Sequence, residues 1–274
     1  MVTRTDYTAL KVEAARRVMI EITHLLAKYR NEIVLVGGWV PELLCRNRHM
    51  PHVGSMDVDL ALDHRKLEES GYKTIQELLS SRGYRQGAQP YIFHRSVPVG
   101  GGEMKVEVDL LSGEYEGTGR RHRHQRVQGV QARKARGCDL AFEIAEDVTI
   151  EGELPEGGRD SVTIRVASMV AFIVMKGMVL DERLKEKDAY DIYYCLRYYP
   201  GGLLKLIREF RSHIRNGLVR EGLTKIARHF ASTTHHGPVS VVRFLEITDP
   251  EERERLQRDA YERVNHLLQS LEIR

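Results

Sequence analysis

Along residues 7–29 the apolar positions Leu10, Ala14, Val18, Ile22, Leu25 and Leu26 recur at helical spacing, with Arg16, Arg17, Glu21 and Lys28 on the opposite face. This predicts an amphipathic helix. Residues 32–36 read as a buried strand. Gly37-Gly38 then permits a tight turn whose backbone can approach a ligand closely, and residues 39–46 read as a helix with Pro41 in its first turn. Residues 46–54 are an irregular, basic, histidine-bearing loop that leads into an alternating strand at 55–62. A helix over 66–82 ends at Gly83. Strands at 91–97 and 104–111 are joined by residues 98–102 as a hairpin. Residues 141–166 read as irregular β structure broken at 154–158. The character then changes. Residues 168–180 are strongly apolar, and helical segments near 187–199, 203–216, 218–232 and 250–271 follow, separated by Gly, Pro and His. The pattern predicts an α+β protein, with an α/β core over 1–166 and a helical domain over 167–274.

Chemistry concentrates at a few places on this frame. Asp57 and Asp59 stand at alternate positions of a strand and project the same way, while Met56, Val58 and Leu60 face the core. Two adjacent carboxylates repel unless a cation lies between them, and hard divalent ions, Mg²⁺ above all, suit such oxygens. On the 104–111 strand Lys105, Glu107 and Asp109 share one face, so Asp109 or Glu107 is a candidate third carboxylate; the alternative is a solvated strand face. Lys176 stands out in the apolar run, ahead of a charged segment at 183–191. There Asp188 and Asp191 are three apart and share a helix face with Leu184 and Cys195. A charged helix start also reads as a solvated cap.

Composition narrows the class. With 42% hydrophobic and 30% charged residues the chain reads as globular rather than disordered. A net charge of +3 selects no partner by itself, so its distribution matters more. Residues 118–136 contain Arg120, Arg121, Arg123, Arg126, Arg133, Lys134 and Arg136 and no acid. Such a block is a candidate nucleic-acid contact; a flexible basic loop is the alternative. No aromatic ring interleaves it to stack bases, and His122 and His124 lack a third metal ligand nearby. The three cysteines, Cys45, Cys138 and Cys195, include no C-x-x-C, which favours a reducing cytoplasm and gives no zinc site. Neither a signal peptide nor a run of membrane-spanning length is expected, and the protein is expected to have no membrane partner.

Taken in order, Gly37-Gly38, Ser55-x-Asp57-x-Asp59, Lys176 and Lys187-Asp188-x-x-Asp191 resemble the AbiEii-type nucleotidyltransferases. These are a DNA polymerase β-like group that includes toxins of type IV toxin–antitoxin systems. The similarity spans about residues 30–200. It implies a mixed sheet flanked by helices, with a helical C-terminal part closing over a nucleotide. By that resemblance Gly37, Gly38 and Ser55 would hold the triphosphate, and Lys176 and Lys187 would contact the nucleotide. Asp57 and Asp59, with Asp109 as candidate third ligand, would bind Mg²⁺ or Mn²⁺, and Asp188 and Asp191 would complete the site. The implied reaction moves an NMP from an NTP to an acceptor hydroxyl, with RNA, tRNA first, as acceptor and a cognate antitoxin as partner. Other acceptors, an aminoglycoside-like small molecule or a protein, and a non-catalytic nucleotide-binding module are the alternatives. Two features depart from the family pattern: the glycine pair and Asp57 are further apart, and Val53 stands where an arginine often precedes the aspartates.

Overall fold

A computed structural model describes residues 2–47, 49–67, 74–114, 124–127 (backbone only) and 129–273. The helices are α1 (Ala9–Leu25), α2 (Trp39–Cys45), α3 (Ile75–Ser81), α4 (Cys138–Glu143) and α5 (Met169–Arg183), followed by α6 (Glu186–Tyr198), α7 (Gly202–His213), α8 (Gly217–His229), α9 (His236–Phe244) and α10 (Pro250–Ser270). The strands are β1 (Ile33–Val36), β2 (Asp57–Leu62), β3 (Arg85–Gln86), β4 (Ile92–Val99) and β5 (Gly102–Ser112), then β6 (His124–Val127), β7 (Val130–Lys134), β8 (Ala145–Glu153) and β9 (Arg159–Ala167). The protein is α+β, with a mixed sheet flanked by helices and a helical C-terminal region. Among the described residues no helix is long and apolar enough to cross a membrane.

The chain divides into two compact units: a sheet unit, Tyr7–Val40 with Gly54–Ser168, and a helical unit, Met1–Asp6 with Pro41–Val53 and Met169–Arg274. The hydrophobic pattern places the change near residue 167, where the helical unit resumes at Met169, but carries no sign that the two earlier segments go with the helices.

In the sheet unit the strand order is β3-β4-β5-β2-β1-β9-β8, and β7, which carries β6, also pairs with β5. Strands β2 and β5 are parallel, β4 and β5 form an antiparallel hairpin, and β1 runs antiparallel to β2 and parallel to β9. Alternation decides what each face carries. Val58, Leu60, Val106, Val108 and Leu110 are buried. Helix α1 contacts β2, β4, β5, β8 and β9 and brings Ala14, Ala15, Val18, Met19 and Ile22 into the same core. Each large side chain so buried contributes about 1.5–3 kcal/mol. The opposite face of β2 and β5 carries Asp57, Asp59, Glu107 and Asp109, with Lys105 further along β5.

Glu21, expected on the polar face of α1, is instead buried. Arg95 of β4 reaches it with two hydrogen bonds, Nε to Oε1 at 2.9 Å and Nη2 to Oε2 at 3.3 Å. A buried acid is tolerable only with such a partner, and here the pair ties α1 to the sheet.

Other expectations are corrected. The helix predicted over 66–82 is only α3: Lys66 lies in a turn, residues 68–73 fall outside the described residues, and a Thr74–Glu77 capping box sets the start. Residues 141–143 belong to α4 rather than to β structure. Helix α9 was hidden by His235-His236-Gly237-Pro238, which reads as punctuation, yet proline in a first helical turn forfeits no hydrogen bond. The basic block contains the antiparallel β6–β7 pair.

In the helical unit α5 packs on α8 where Gly177 meets Gly222: a β-carbon at 177 would overlap the Gly222 carbonyl oxygen, and one at 222 would press on Val174. Small residues let the two backbones approach. Gly177→Ala is expected to overpack this crossing and cost about 1–3 kcal/mol, read as a lower urea midpoint with an unchanged slope.

Candidate functional site

The β2–β5 register builds the site. Asp57 pairs with Glu107 and Asp59 with Asp109 in a parallel ladder, so the four carboxylates project from one face of adjacent strands. Each is engaged differently. The Ser55 hydroxyl donates to Asp57 Oδ1. Trp39, wholly buried, donates its indole N–H to the Asp57 carbonyl at 2.8 Å and fixes the start of β2. Asp59 lies against the turn after β1: Gly37 has φ +72°, and a β-carbon there would overlap Asp59 Oδ2. Glycine is thus required twice at 37, for its conformation and for the carboxylate beside it.

Asp109 is buried and accepts a hydrogen bond from Arg133 Nη2 at 2.7 Å through Oδ2, while its Oδ1 is buried with no hydrogen-bond partner among the described residues. Burial pushes its pKa above the ordinary carboxylate value; Arg133 opposes this, and Glu107 and Asp57 add to it. Burial depresses the Arg133 pKa, but Asp109, together with Asp59, outweighs burial and leaves it raised. Glu107 is more exposed and stands 3.7 Å from His94 Nε2. Between the two candidates for third carboxylate, Asp109 is therefore the one beside Asp59 with an uncommitted buried oxygen.

The resemblance implies a divalent metal. Among the described residues no three His, Cys, Asp or Glu side chains are arranged as they stand to hold one. The donor chemistry nonetheless fits: hard carboxylate oxygens share one face, and Asp109 Oδ1 lacks a hydrogen-bond partner among the described residues.

The helical unit holds a second charged cluster. Lys176 Nζ lies 2.7 Å from both Asp188 Oδ1 and Asp191 Oδ2. Arg183 grips Asp188 through Nε at 2.8 Å and Nη2 at 3.0 Å. Lys187 Nζ reaches Asp191 at 3.0 Å and 3.1 Å. Asp188, Asp191 and Lys176 are all buried, as is Cys195. Leu184 does not share their helix face: with φ +48° and an exposed side chain it turns the corner between α5 and α6. Burial raises the pKa of both acids, but Lys176, with Arg183 at Asp188 and Lys187 and His52 at Asp191, outweighs it and leaves both below the ordinary value. Burial lowers the Lys176 pKa, and the two acids more than reverse this.

His52 was not singled out in sequence. Its Nε2 donates to Asp191 Oδ1 at 2.9 Å in a fully buried pair, and its ring packs between Tyr190 and Tyr194. Burial lowers its pKa to about 4, so it is neutral at pH 7. Nothing local in the 46–54 loop signals this, because Asp191 lies 139 positions away.

The basic block is only partly described. Arg120, Arg121, Arg123 and His122 lie outside the described residues, and Arg126 lies on β6 with His124. Arg133 and Lys134 are on β7, and Arg133 and Arg136 pair with Asp109 and Glu114. The role of Arg133 as counter-ion to the carboxylate face was not read from the sequence. Comparisons with family models, curated proteins and solved structures return no match for this chain.

Between pH 6.5 and about 4 the unfolded chain binds a proton at His52 and the folded chain does not, so stability falls as pH falls through that window. The full shift corresponds to about 3 kcal/mol. The depressed Asp188 and Asp191 add their loss below the ordinary carboxylate range. Urea unfolding from pH 7 to 4.5 is expected to show the decline, and His52→Gln to flatten it; a flat wild-type profile would contradict a buried neutral His52.

Proposed function

We propose that the protein is a metal-dependent nucleotidyltransferase of the AbiEii type, built on a polymerase β-like core. The observation that carries this reading is the set Asp57, Asp59 and Asp109 on one face of β2 and β5, with Gly37 closing on Asp59. A sheet that needed only to fold would not hold repelling acids there.

In this reading Asp57, Asp59 and Asp109 Oδ1 would hold Mg²⁺ or Mn²⁺, which when bound screens phosphate charge and activates the hydroxyl nucleophile. The acceptor oxygen forms a bond to the α-phosphorus of an NTP, the bond to the β-phosphate oxygen breaks, and pyrophosphate leaves. Asp109 serves either as the third metal ligand or as the group that activates the acceptor hydroxyl. Gly37, Gly38 and Ser55 line the approach of the triphosphate. Arg133, which faces Asp109 and Asp59, is the cation placed to counter phosphate charge. Lys176 of α5 pairs with Asp188 and Asp191 of α6, and Lys187 pairs with Asp191 along α6 itself. An RNA acceptor is supported by the run of basic residues at 118–136. Action as a type IV toxin with a cognate antitoxin follows from the family resemblance alone.

Label from α-labelled NTPs is expected to enter bulk tRNA in Mg²⁺, with one nucleotide preferred. Asp57→Asn and Asp59→Asn are each expected to abolish transfer while leaving the protein at least as stable, because each removes one of four repelling charges. Retained transfer in either variant would end the proposal.

Metal binding is read separately. Mn²⁺ at 100 times its Kd is expected to stabilise the wild type by about 2.7 kcal/mol and to leave Asp59→Asn unmoved in thermal unfolding.

A further inference from the structure

Helix α6 carries Tyr190, Tyr194 and Tyr198 four residues apart, with Tyr193 and Arg197 beside them. This spacing forms one stripe along a helix. The rings make a continuous tier: Tyr190 lies 4.6 Å from Phe244 and 5.9 Å from Tyr194, and Tyr194 lies 4.8 Å from Tyr198, measured between centroids. The stripe does not end in packed core. It forms one wall of a cavity of about 460 Å³ within the helical unit, whose other walls include Val53, Leu245 and Leu256 and whose cations are Arg4, Arg197 and Arg255.

The polar groups divide into committed and available ones. Asp259 is neutralised: Tyr193 donates to it at 2.6 Å, Arg197 at 2.8 Å and Arg263 at 2.9 Å. Arg197 also lies over the rings of Tyr193 and Tyr198 at 5.8 Å and 5.4 Å. Glu252 stands 3.9 Å from Arg255, whose side chain is 81% exposed, so that pair is loose. Arg4 makes no ion pair among the described residues, and its charge is felt at Tyr190. Tyr190 is 5% exposed, lines the cavity, and its hydroxyl makes no hydrogen bond among the described residues.

We propose that this cavity binds a nucleotide bearing a phosphate, either a free mononucleotide or the unpaired end of an RNA strand. The Tyr198 ring, half-buried where Tyr190, Tyr193 and Tyr194 are buried, takes a planar base, and every base offers such a face. Arg4 and Arg255 take the phosphate through charge-assisted hydrogen bonds. Tyr190 supplies a hydrogen bond to the base or sugar. The volume lies within the range of small-ligand pockets. The site uses only residues of the helical unit and none of the sheet carboxylates, so it stands whether or not the protein transfers nucleotides.

The test is calorimetric titration of the full chain in EDTA, which suppresses metal-dependent binding at the sheet carboxylates. The probes are the four ribonucleoside 5′-monophosphates, adenosine, inorganic phosphate and a single-stranded oligoadenylate hexamer. At least one monophosphate is expected to bind more tightly than adenosine and inorganic phosphate. Tyr198→Ala is expected to weaken that binding about tenfold or more, as is the Arg4→Ala/Arg255→Ala pair. Tyr190→Phe is expected to weaken it severalfold with an unchanged unfolding midpoint. A hexamer that binds more tightly than the monophosphates assigns the site to a strand end, and one that binds more weakly assigns it to a free nucleotide. No monophosphate binding in EDTA, binding that all three variants retain, or inorganic phosphate binding as tightly as the nucleotide would each overturn the proposal.

Discussion

Repulsion among like charges on one sheet face is the constraint from which the sheet unit's unusual features follow. Four carboxylates meet on β2 and β5 because parallel pairing sets Asp57 beside Glu107 and Asp59 beside Asp109. Each then needs its own accommodation: a serine hydroxyl for Asp57, a glycine turn for Asp59, a guanidinium for Asp109 and a histidine for Glu107. The accommodations are incomplete, since Asp109 Oδ1 has no hydrogen-bond partner among the described residues. Stability alone would favour apolar or neutral side chains there, and this imbalance marks functional surfaces more often than structural ones.

The helical unit treats its acids in the opposite way. Asp188 and Asp191 are surrounded by Lys176, Lys187, Arg183 and His52, with short contacts throughout. Removing one partner from such a buried cluster would leave an uncompensated charge, typically worth about 3–5 kcal/mol. One cluster is saturated and the other is not, although both read in sequence as closely spaced aspartates among charges.

That contrast explains what the sequence could reveal. Period-two alternation made the carboxylate face legible: Asp57, Asp59 and Asp109 were all placed by counting along strands, and the hairpin holding Asp109 was visible from its apolar runs. Period 3.6 likewise gave α1 and most of the C-terminal helices. What stayed hidden depends on pairing across long separations. The register that chooses Asp109 over Glu107 beside Asp59, the Arg95 partner of Glu21, the Arg133 partner of Asp109 and the burial of His52 are all non-local, and no window of sequence contains both members. The tyrosine stripe of α6 was local and readable, but its spacing is also that of an ordinary core face, and only the cavity beside it distinguishes the two.

Strand β5 changes its edge partner at the carboxylate. Ile92 opposite Asp109 is the last rung contributed by β4 toward this end, and Leu111 opposite Arg133 is the first contributed by β7. The acids and their guanidinium therefore ride on separately adjustable pieces of chain. A one-residue slip of β7 against β5 would leave the β2–β5 and β4–β5 ladders in register but turn Arg133 to the other side of the sheet. The β5–β7 register thus sets the charge balance of the acidic face, while the β2–β5 ladder alone sets its geometry.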